Sequence, residues 1–194
     1  MTVGVLALQG DFEAHQRALH QLGVATRQVR STEELGLVDG LVIPGGESTT
    51  MLKVVDEEGL RAALANYSKP MLGCCAGLIL MASQVSRPEQ GCLALLDISV
   101  ERNAYGRQVH SGIRTIEPSD EFERRTNPGA VEVVFIRAPI IRRVGPSVDT
   151  LLTAGTDAIL VETGKRLAAT FHPELTSDRR VHQLLLDKIQ AEAQ

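Results

Sequence analysis

The chain has 194 residues, 43% of them hydrophobic, and a formal net charge of −4 at pH 7. This length and composition predict one sizeable core and a single domain over residues 1–194, and the acidic balance argues against a nucleic-acid partner. No stretch reaches the roughly 18 unbroken apolar residues of a membrane helix, and the apolar start lacks the features of a signal peptide, so we expect no membrane partner.

The first half of the chain alternates short apolar runs with segments of helical periodicity. The predicted strands cover 2–8, 25–30, 38–44 and 69–74, and the predicted helices cover 11–23, 48–67 and 76–85. Strands separated by helices in this way form βαβ units, in which helices cover both faces of a parallel sheet.

The second half is rich in short β-like runs separated by Gly, Asn and Pro. These runs cover 93–103, 106–117, 130–139, 150–156, 158–164 and 165–173. We expect them to add antiparallel strands to the sheet, with an exposed polar loop at 118–129. A closing amphipathic helix at 177–194 places four apolar side chains on its inner side: Val181, Leu184, Leu185 and Ile189. The fold class is therefore α/β, in three layers, with a central and mainly parallel sheet.

A proline–glycine turn, Pro44-Gly45-Gly46, follows the third predicted strand. Ligands of open α/β sheets bind beyond the carboxyl ends of the strands, and a glycine pair there lets backbone N–H groups approach a substrate. Gly46 is a candidate oxyanion donor, and we expect Ser48 and Thr49 to cap the next helix. A plain tight turn is the alternative, whereas a phosphate loop is excluded because its G-x-x-x-x-G-K-[ST] pattern is absent.

Two adjacent cysteines stand at the end of the fourth predicted strand, in the sequence GCCAG (73–77). Centred on Cys75, this is G-x-C-x-G, the thiol counterpart of the nucleophile elbow, in which small flanking residues avoid collisions across a sharp turn. Cys75 is the candidate nucleophile, and the N–H of Ala76 is a candidate oxyanion donor. Two buried structural thiols are the alternative.

Cys92 has no comparable context and is predicted to pack. Three cysteines, two of them adjacent, suit a reducing cytoplasm better than a disulfide framework.

A thiol nucleophile needs a base, and the base needs a group that orients it. His172 ends an apolar strand, Pro173 stops that strand, and Glu174 comes two positions later, on the same side of an extended chain. This order predicts a Cys-His-Glu relay, although an ordinary ion pair on a loop remains the alternative. The other histidines are predicted to lie on the surface or to pack: His15, His20, His110 and His182.

Several motifs in one order resemble a known family. The motifs are PGGEST, GCCAGLIL, ERNAYGRQ, FIRAP and FHPELT. Across nearly the whole chain they resemble the class I (triad) glutamine amidotransferases, and specifically the family of glutaminase subunits of pyridoxal 5′-phosphate synthase. The resemblance implies a flavodoxin-like fold and hydrolysis of L-glutamine to glutamate and ammonia, with no cofactor and no metal. It further implies ammonia transfer to a (β/α)₈-barrel synthase subunit, in an assembly of twelve copies of each.

The same resemblance implies roles for particular residues. Cys75, His172 and Glu174 would form the triad. The glutamine-binding residues would be Gly46, Glu47, Ser48, Arg102, Ile136 and Arg137. A cation is chemically reasonable there, because a guanidinium binds the α-carboxylate of free glutamine with two hydrogen bonds.

Two positions depart from the family pattern. Cys74 stands where the family usually has threonine, which places a second oxidisable thiol beside the first. Residues 110–113 read HSGI, where DSFE is common, so the role of this strand stays open. Three other functions also remain open: a γ-glutamyl hydrolase, the glutaminase of another amidotransferase, and a non-catalytic regulatory subunit.

Overall fold

A computed structural model gives the fold and describes residues 1–102 and 111–192. The described residues form twelve β-strands: β1 (Thr2–Leu6), β2 (Ala25–Val29), β3 (Gly40–Ile43), β4 (Met71–Cys74), β5 (Ala82–Ser86), β6 (Leu96–Glu101), β7 (Gly112–Ile116), β8 (Val131–Phe135), β9 (Ile140–Val144), β10 (Asp149–Ala154), β11 (Asp157–Thr163) and β12 (Arg166–Ala169). They also form seven α-helices: α1 (Phe12–Gln21), α2 (Thr32–Gly36), α3 (Ser48–Glu57), α4 (Arg61–Ala65), α5 (Ala76–Met81), α6 (Asp120–Arg125) and α7 (Arg180–Glu192). A 3-10 helix covers Pro173–Leu175.

The central sheet has seven strands in the order β10-β11-β12-β4-β3-β1-β2. The five strands from β12 to β2 are parallel, and β10 and β11 extend the edge beyond β12 in antiparallel pairing. The predicted mainly parallel sheet with antiparallel additions is therefore confirmed. Because β3, β4 and β12 are neighbours and run in the same direction, the residues that follow them meet at one edge.

Helices cover both faces of this sheet, which confirms the three-layer prediction. Successive residues of β3 point to opposite faces: Leu41 and Ile43 join the core beneath α3, α4 and α5, and Val42 joins the core beneath α1 and α7. A strand buried on both faces reads as an unbroken apolar run, as residues 41–43 do. The four side chains predicted on the inner side of the last helix are all buried.

Not all the β-rich runs join the central sheet. β5, β6 and β9 form a separate three-stranded sheet, and β7 and β8 form a two-stranded one. The predicted helix at 76–85 is wrong beyond Met81, since β5 pairs in parallel with β6 and the backbone N–H of Leu93 donates to the carbonyl of Leu80. Tertiary pairing overrides the local helical pattern here.

Two other predictions need correction, and two elements were missed. The helix predicted at 48–67 is two helices, because Gly59 has a φ of +68° and ends α3. The segment 118–129 was expected to be an exposed loop, but it contains α6, whose Phe122 is fully buried. Neither α2 nor β9 was predicted.

The described residues also bear on the predictions about membranes and about the ERNAYGRQ motif. No helix within residues 1–102 and 111–192 is both long and apolar enough to cross a membrane. Residues 103–108 of the ERNAYGRQ motif and His110 lie outside the described residues, so their predicted roles stay predictions.

Candidate active site

Cys75 occupies the sharp turn between β4 and α5. Its backbone has φ +48° and ψ −100°, a conformation that L-residues seldom adopt and that costs on the order of 1–3 kcal/mol. The flanking glycines make the turn possible: a Cβ on Gly77 would lie 2.1 Å from the Ile43 carbonyl oxygen, and one on Gly73 would lie 2.8 Å from the Gly77 carbonyl carbon. These short distances explain why the elbow requires glycine on both sides of Cys75, as predicted.

The pairing of β4 with β12 brings the thiol to the imidazole. Ala169 is opposite Cys74 in the parallel register, and the Cys75 N–H donates to the Ala169 carbonyl at 2.8 Å. The chain then runs from β12 to His172, whose own N–H donates to the Val134 carbonyl at 2.9 Å. The Cys75 Sγ lies 3.9 Å from the carbonyl oxygen of Ile136.

The imidazole of His172 is held between the thiol and a carboxylate. Its Nδ1 lies 2.7 Å from Oε1 of Glu174. Burial disfavours its protonation, but hydrogen bonds to Cys75 and Glu174 outweigh burial and raise the pKa of His172 to about 10. At neutral pH the ring is therefore an imidazolium, which places a positive charge beside the Cys75 sulfur.

Glu174 reaches His172 by a route other than the predicted one. The two residues do not lie on an extended chain, because Pro173 begins the 3-10 helix and turns Glu174 back beneath the ring. Glu174 is buried. Burial raises the pKa of its carboxyl, but His15 and His172 favour the charged form more strongly, so the pKa lies below its ordinary value.

The proline–glycine turn after β3 lies against the first loop of the chain. A Cβ on Gly10 would be 1.8 Å from the Gly45 carbonyl oxygen, and Gly46 has a φ of +153°. The Glu47 N–H donates to Oε1 of Gln9 at 2.9 Å. The helix cap differs from the prediction: the carboxylate of Glu47, and not Ser48 or Thr49, accepts from the first N–H groups of α3.

These groups line a cleft of about 280 Å³ that opens to solvent. The predicted residues in its lining are Gly46, Glu47, Ser48, Cys75, Arg102, Ile136, Arg137 and His172. Ala76 lies just below, in the first turn of α5, where a helix leaves its N–H groups without an intrahelical acceptor. Glu174 lies behind His172. The fold thus brings every predicted site residue to one place.

The guanidinium of Arg102 is already engaged in the cleft. It donates to Oε1 of Glu47 at 2.9 Å, to Oε1 of Gln90 at 2.5 Å and to Oγ1 of Thr49 at 3.0 Å. Arg137 has a φ of +45°, and its N–H donates to the Ser111 hydroxyl at 3.2 Å. These hydrogen bonds hold Arg102 beside the carboxylate of Glu47. Arg137 lines the same cleft from a backbone with positive φ.

Sequence reasoning missed four polar residues at the site. Gln9 accepts a hydrogen bond from the N–H of Glu47, Gln90 accepts one from the hydroxyl of Ser48, and no local motif marks either glutamine. His15 and His182 were predicted to lie on the surface or to pack, and both are fully buried. His15 contacts Glu174, so its position is tied to the site in a way that its helical pattern did not indicate.

One group of atoms resembles a set of metal ligands. His15, Cys74 and Glu174 place one nitrogen, one sulfur and one oxygen within 4.8 Å of one another. Burial raises the pKa of the Cys74 thiol well above its ordinary value, which disfavours the thiolate that a metal requires. The expectation of no metal stays a prediction.

A family comparison covers almost the whole chain. Residues 5–191 match the model of the SNO glutamine amidotransferase family. The chain is 52% identical over 189 residues to the pyridoxal 5′-phosphate synthase subunit PdxT of Solibacter usitatus, covering 96% of this chain and 98% of that one. It is 44% identical over 196 residues to the PdxT subunit of Thermotoga maritima, covering 97% of this chain and all of that one.

Solved structures agree with this result. A crystal structure of a glutamine amidotransferase is 43% identical and superposes with a TM-score of 0.86, over 97% of this chain and 98% of that one. A glutamine amidotransferase from Thermotoga maritima, at 16% identity, superposes with a TM-score of 0.61 over 100% of this chain and 85% of that one. This second likeness concerns the fold alone, and together they support the predicted class I glutamine amidotransferase fold.

Proposed function

The chain belongs to the SNO glutamine amidotransferase family, and on this premise we propose that it is the glutaminase subunit of a pyridoxal 5′-phosphate synthase. It hydrolyses L-glutamine to L-glutamate and ammonia, and the ammonia serves vitamin B6 synthesis in a partner synthase subunit. The observation that carries the proposal is the contact of the strained Cys75 with His172, which Glu174 holds at 2.7 Å in an open cleft.

The chemistry follows from these three side chains. The Cys75 thiolate attacks the γ-carboxamide carbon, and the N–H groups of Ala76 and Gly46 stabilise the oxyanion. The imidazolium of His172 gives its proton to the departing ammonia, which leaves a γ-glutamyl thioester. His172 then removes a proton from water, and the resulting hydroxide attacks the thioester, which releases glutamate and one proton to solvent and restores the Cys75 thiolate beside the imidazolium. Glu174 keeps the imidazole oriented through both steps.

Glutamine recognition rests on the charged walls of the cleft. Arg102 and Arg137 offer guanidinium groups for the α-carboxylate, and the carboxylate of Glu47 suits the α-ammonium group. Ser48, Gly46 and the backbone of Ile136 complete the pocket around the side-chain amide. Arg102 already holds Glu47, so the two groups that recognise the zwitterion are fixed relative to each other before glutamine binds.

The wider context is part of the same proposal. The relatives are named as subunits of a synthase, which supports a synthase partner for this chain. We take that partner to be a (β/α)₈ barrel that assembles with this chain in twelve copies of each. The whole chain acts as one domain in the cytoplasm, where the free thiols of Cys74, Cys75 and Cys92 stay reduced. No cofactor takes part in the glutaminase step.

The proposal is tested by measuring ammonia release from glutamine with and without the synthase subunit from the same source. We expect release that rises when the synthase is added. γ-Glutamyl peptides offered in place of glutamine should be poor substrates, because they carry the same α-ammonium and α-carboxylate groups but have a bulky amine in place of ammonia as the leaving group. Faster cleavage of γ-glutamyl peptides would favour a γ-glutamyl hydrolase, and no hydrolysis with or without the synthase would favour a regulatory subunit.

A further inference from the structure

We infer that His15 and His182 extend the triad inward and act as positioning residues for Glu174, in the order His182–His15–Glu174–His172–Cys75. This inference rests on the proposed glutaminase function for its kinetic consequences. The contacts themselves are independent of that function. They join α1, α7 and the 3-10 helix after β12 at one buried point.

Each carboxylate oxygen of Glu174 faces a different histidine. Oε1 lies 2.7 Å from Nδ1 of His172, and Oε2 lies 3.3 Å from Nε2 of His15. The side chains of Glu174 and His15 are both fully buried. Within the described residues neither Oε2 nor this Nε2 has an aligned hydrogen-bond partner, so each of these two buried polar atoms has the other as its nearest opposite group. A buried carboxylate oxygen without a donor would be costly, so the nearby N–H is its evident partner.

The second nitrogen of His15 has a partner of its own. Its Nδ1 lies 3.0 Å from Nε2 of His182, and the two ring centroids are 5.3 Å apart. Both imidazoles are fully buried, and burial lowers the pKa of His15 and lowers the pKa of His182 to about 3. Both rings are therefore neutral at pH 7, and each carries one N–H.

These facts fix the tautomers. If Nε2 of His15 carries the proton and faces Glu174, its Nδ1 must be an acceptor, so Nε2 of His182 must be the donor to it. Nδ1 of His182 is then an unprotonated nitrogen, and this is the atom that has no hydrogen-bond partner among the described residues. The opposite tautomers would direct a lone pair of His15 at the carboxylate and would leave a buried N–H of His182 unpaired. The first arrangement costs less, because it leaves an acceptor and not a donor unsatisfied.

The consequence for catalysis is electrostatic and geometric. A donor on Oε2 stabilises the Glu174 carboxylate, and a charged Glu174 keeps His172 protonated and oriented toward Cys75. The other titratable groups that influence this buried cluster are Cys74, which borders Glu174, Asp11 near His15, and Arg179 near His182. Among the groups around the cluster, His15 alone pairs with the outer oxygen of Glu174.

The test compares His15→Leu, which removes the donor, with His15→Gln, whose amide N–H can take the place of Nε2–H. For His15→Leu we expect kcat for ammonia release to fall about 10- to 100-fold, the worth of one hydrogen bond to a charged group, with KM little changed. His15→Gln should recover most of the loss. The pKa of His172, followed by NMR of ring-labelled histidine in the chain alone, should fall by about one unit in His15→Leu.

A second variant separates positioning from packing. His182→Leu should lower kcat in the same direction but less, and the double variant with His15→Leu should be no slower than His15→Leu alone, because His182 acts only through His15. The inference would be overturned if the kcat losses of the two single variants multiplied in the double variant. It would also be overturned if the pKa of His172 were unchanged in folded His15→Leu. A wild-type chain that is inactive both with and without the synthase, with the NMR shift still present in His15→Leu, would instead overturn the proposed function and leave the contact established.

Discussion

Gly45 lies directly against the imidazole of His172, so closely that a Cβ on this glycine would be 2.4 Å from Cε1 of the ring. Real Cβ atoms essentially never approach that closely, so a side chain at position 45 must displace the ring. We expect Gly45→Ala to lower kcat for glutamine hydrolysis by at least about tenfold, because a displacement near 1 Å at a reacting group can cost a hundredfold.

Gly36→Ala is the matched control for that substitution. Gly36 lies in α2, and no atom lies within 4 Å of a Cβ built on it. The alanine there should leave kcat unchanged and stabilise the helix by about 0.5–1 kcal/mol. Wild-type kcat in Gly45→Ala would show that the ring has more freedom than its contacts indicate.

The two adjacent cysteines should behave differently when each is replaced. We expect Cys75→Ala to abolish ammonia release, with a loss of several orders of magnitude, because no other described nucleophile contacts His172. Cys74→Thr should keep kcat within a few-fold of wild type, since Cys74 is fully buried in the core with Leu72 and Ala169 and does not line the cleft. Equal losses in both variants would contradict the assignment of the nucleophile.

The structure also sharpens the question of oxidation at Cys74. Its place beside the nucleophile suggested a redox-sensitive pair. Burial, more than the nearby Glu174 and Cys75, raises the pKa of its thiol well above the ordinary value, and the side chain has no exposed surface. Oxidation follows thiolate character and access, so these facts argue against that expectation. The second thiol is a packing residue that borders the triad carboxylate.

Arg102→Met should affect substrate binding more than the chemical step. The substitution removes a guanidinium that we assign to the α-carboxylate and that also holds Glu47 at 2.9 Å. We expect KM for glutamine to rise by about 10- to 100-fold, the worth of charge-assisted hydrogen bonds, with a smaller change in kcat. Arg143→Met, which removes an ion pair with Asp97 outside the cleft, is the control. A fall in kcat at unchanged KM would assign Arg102 to the transition state instead.

Local sequence patterns were enough to predict that Cys75 and His172 lie together, but not which residues surround them. Cys75 and His172 stand at the ends of strands with unmistakable apolar patterns, and neighbouring parallel strands bring such ends together. His15 and Gln90 reach the site from distant elements, and nothing in their own segments shows which way they face. Such contacts depend on long-range packing, which a single sequence does not display.

The errors in the predicted elements have a similar physical origin. The helix that was expected to run to residue 85 ends at Met81, because pairing with β6 provides better partners for the following backbone than another helical turn. The segment around Phe122 contains many charges, yet one aromatic side chain is enough to anchor a short helix on the core. Composition predicts average exposure, and a single buried residue can reverse it.

The buried histidines should make the fold sensitive to acid. Burial lowers the pKa of His182 to about 3, whereas an unfolded chain binds a proton there near the ordinary value of 6.5. Between these values the unfolded state holds more protons, so the free energy of unfolding falls as the pH decreases, by up to about 1.4 kcal/mol per pH unit for this residue.

Urea unfolding at pH 7, 6 and 5 measures that slope at pH values above the range in which Glu174, with an ordinary pKa of 4.5, contributes. His182→Gln should lose about 2 kcal/mol less than wild type between pH 7 and 5. Gln190→Ala, an exposed and uncharged site on the same helix, should retain the wild-type slope. Equal slopes in wild type and His182→Gln would mean that His182 is protonated in the folded chain, contrary to the neutral ring that its burial requires.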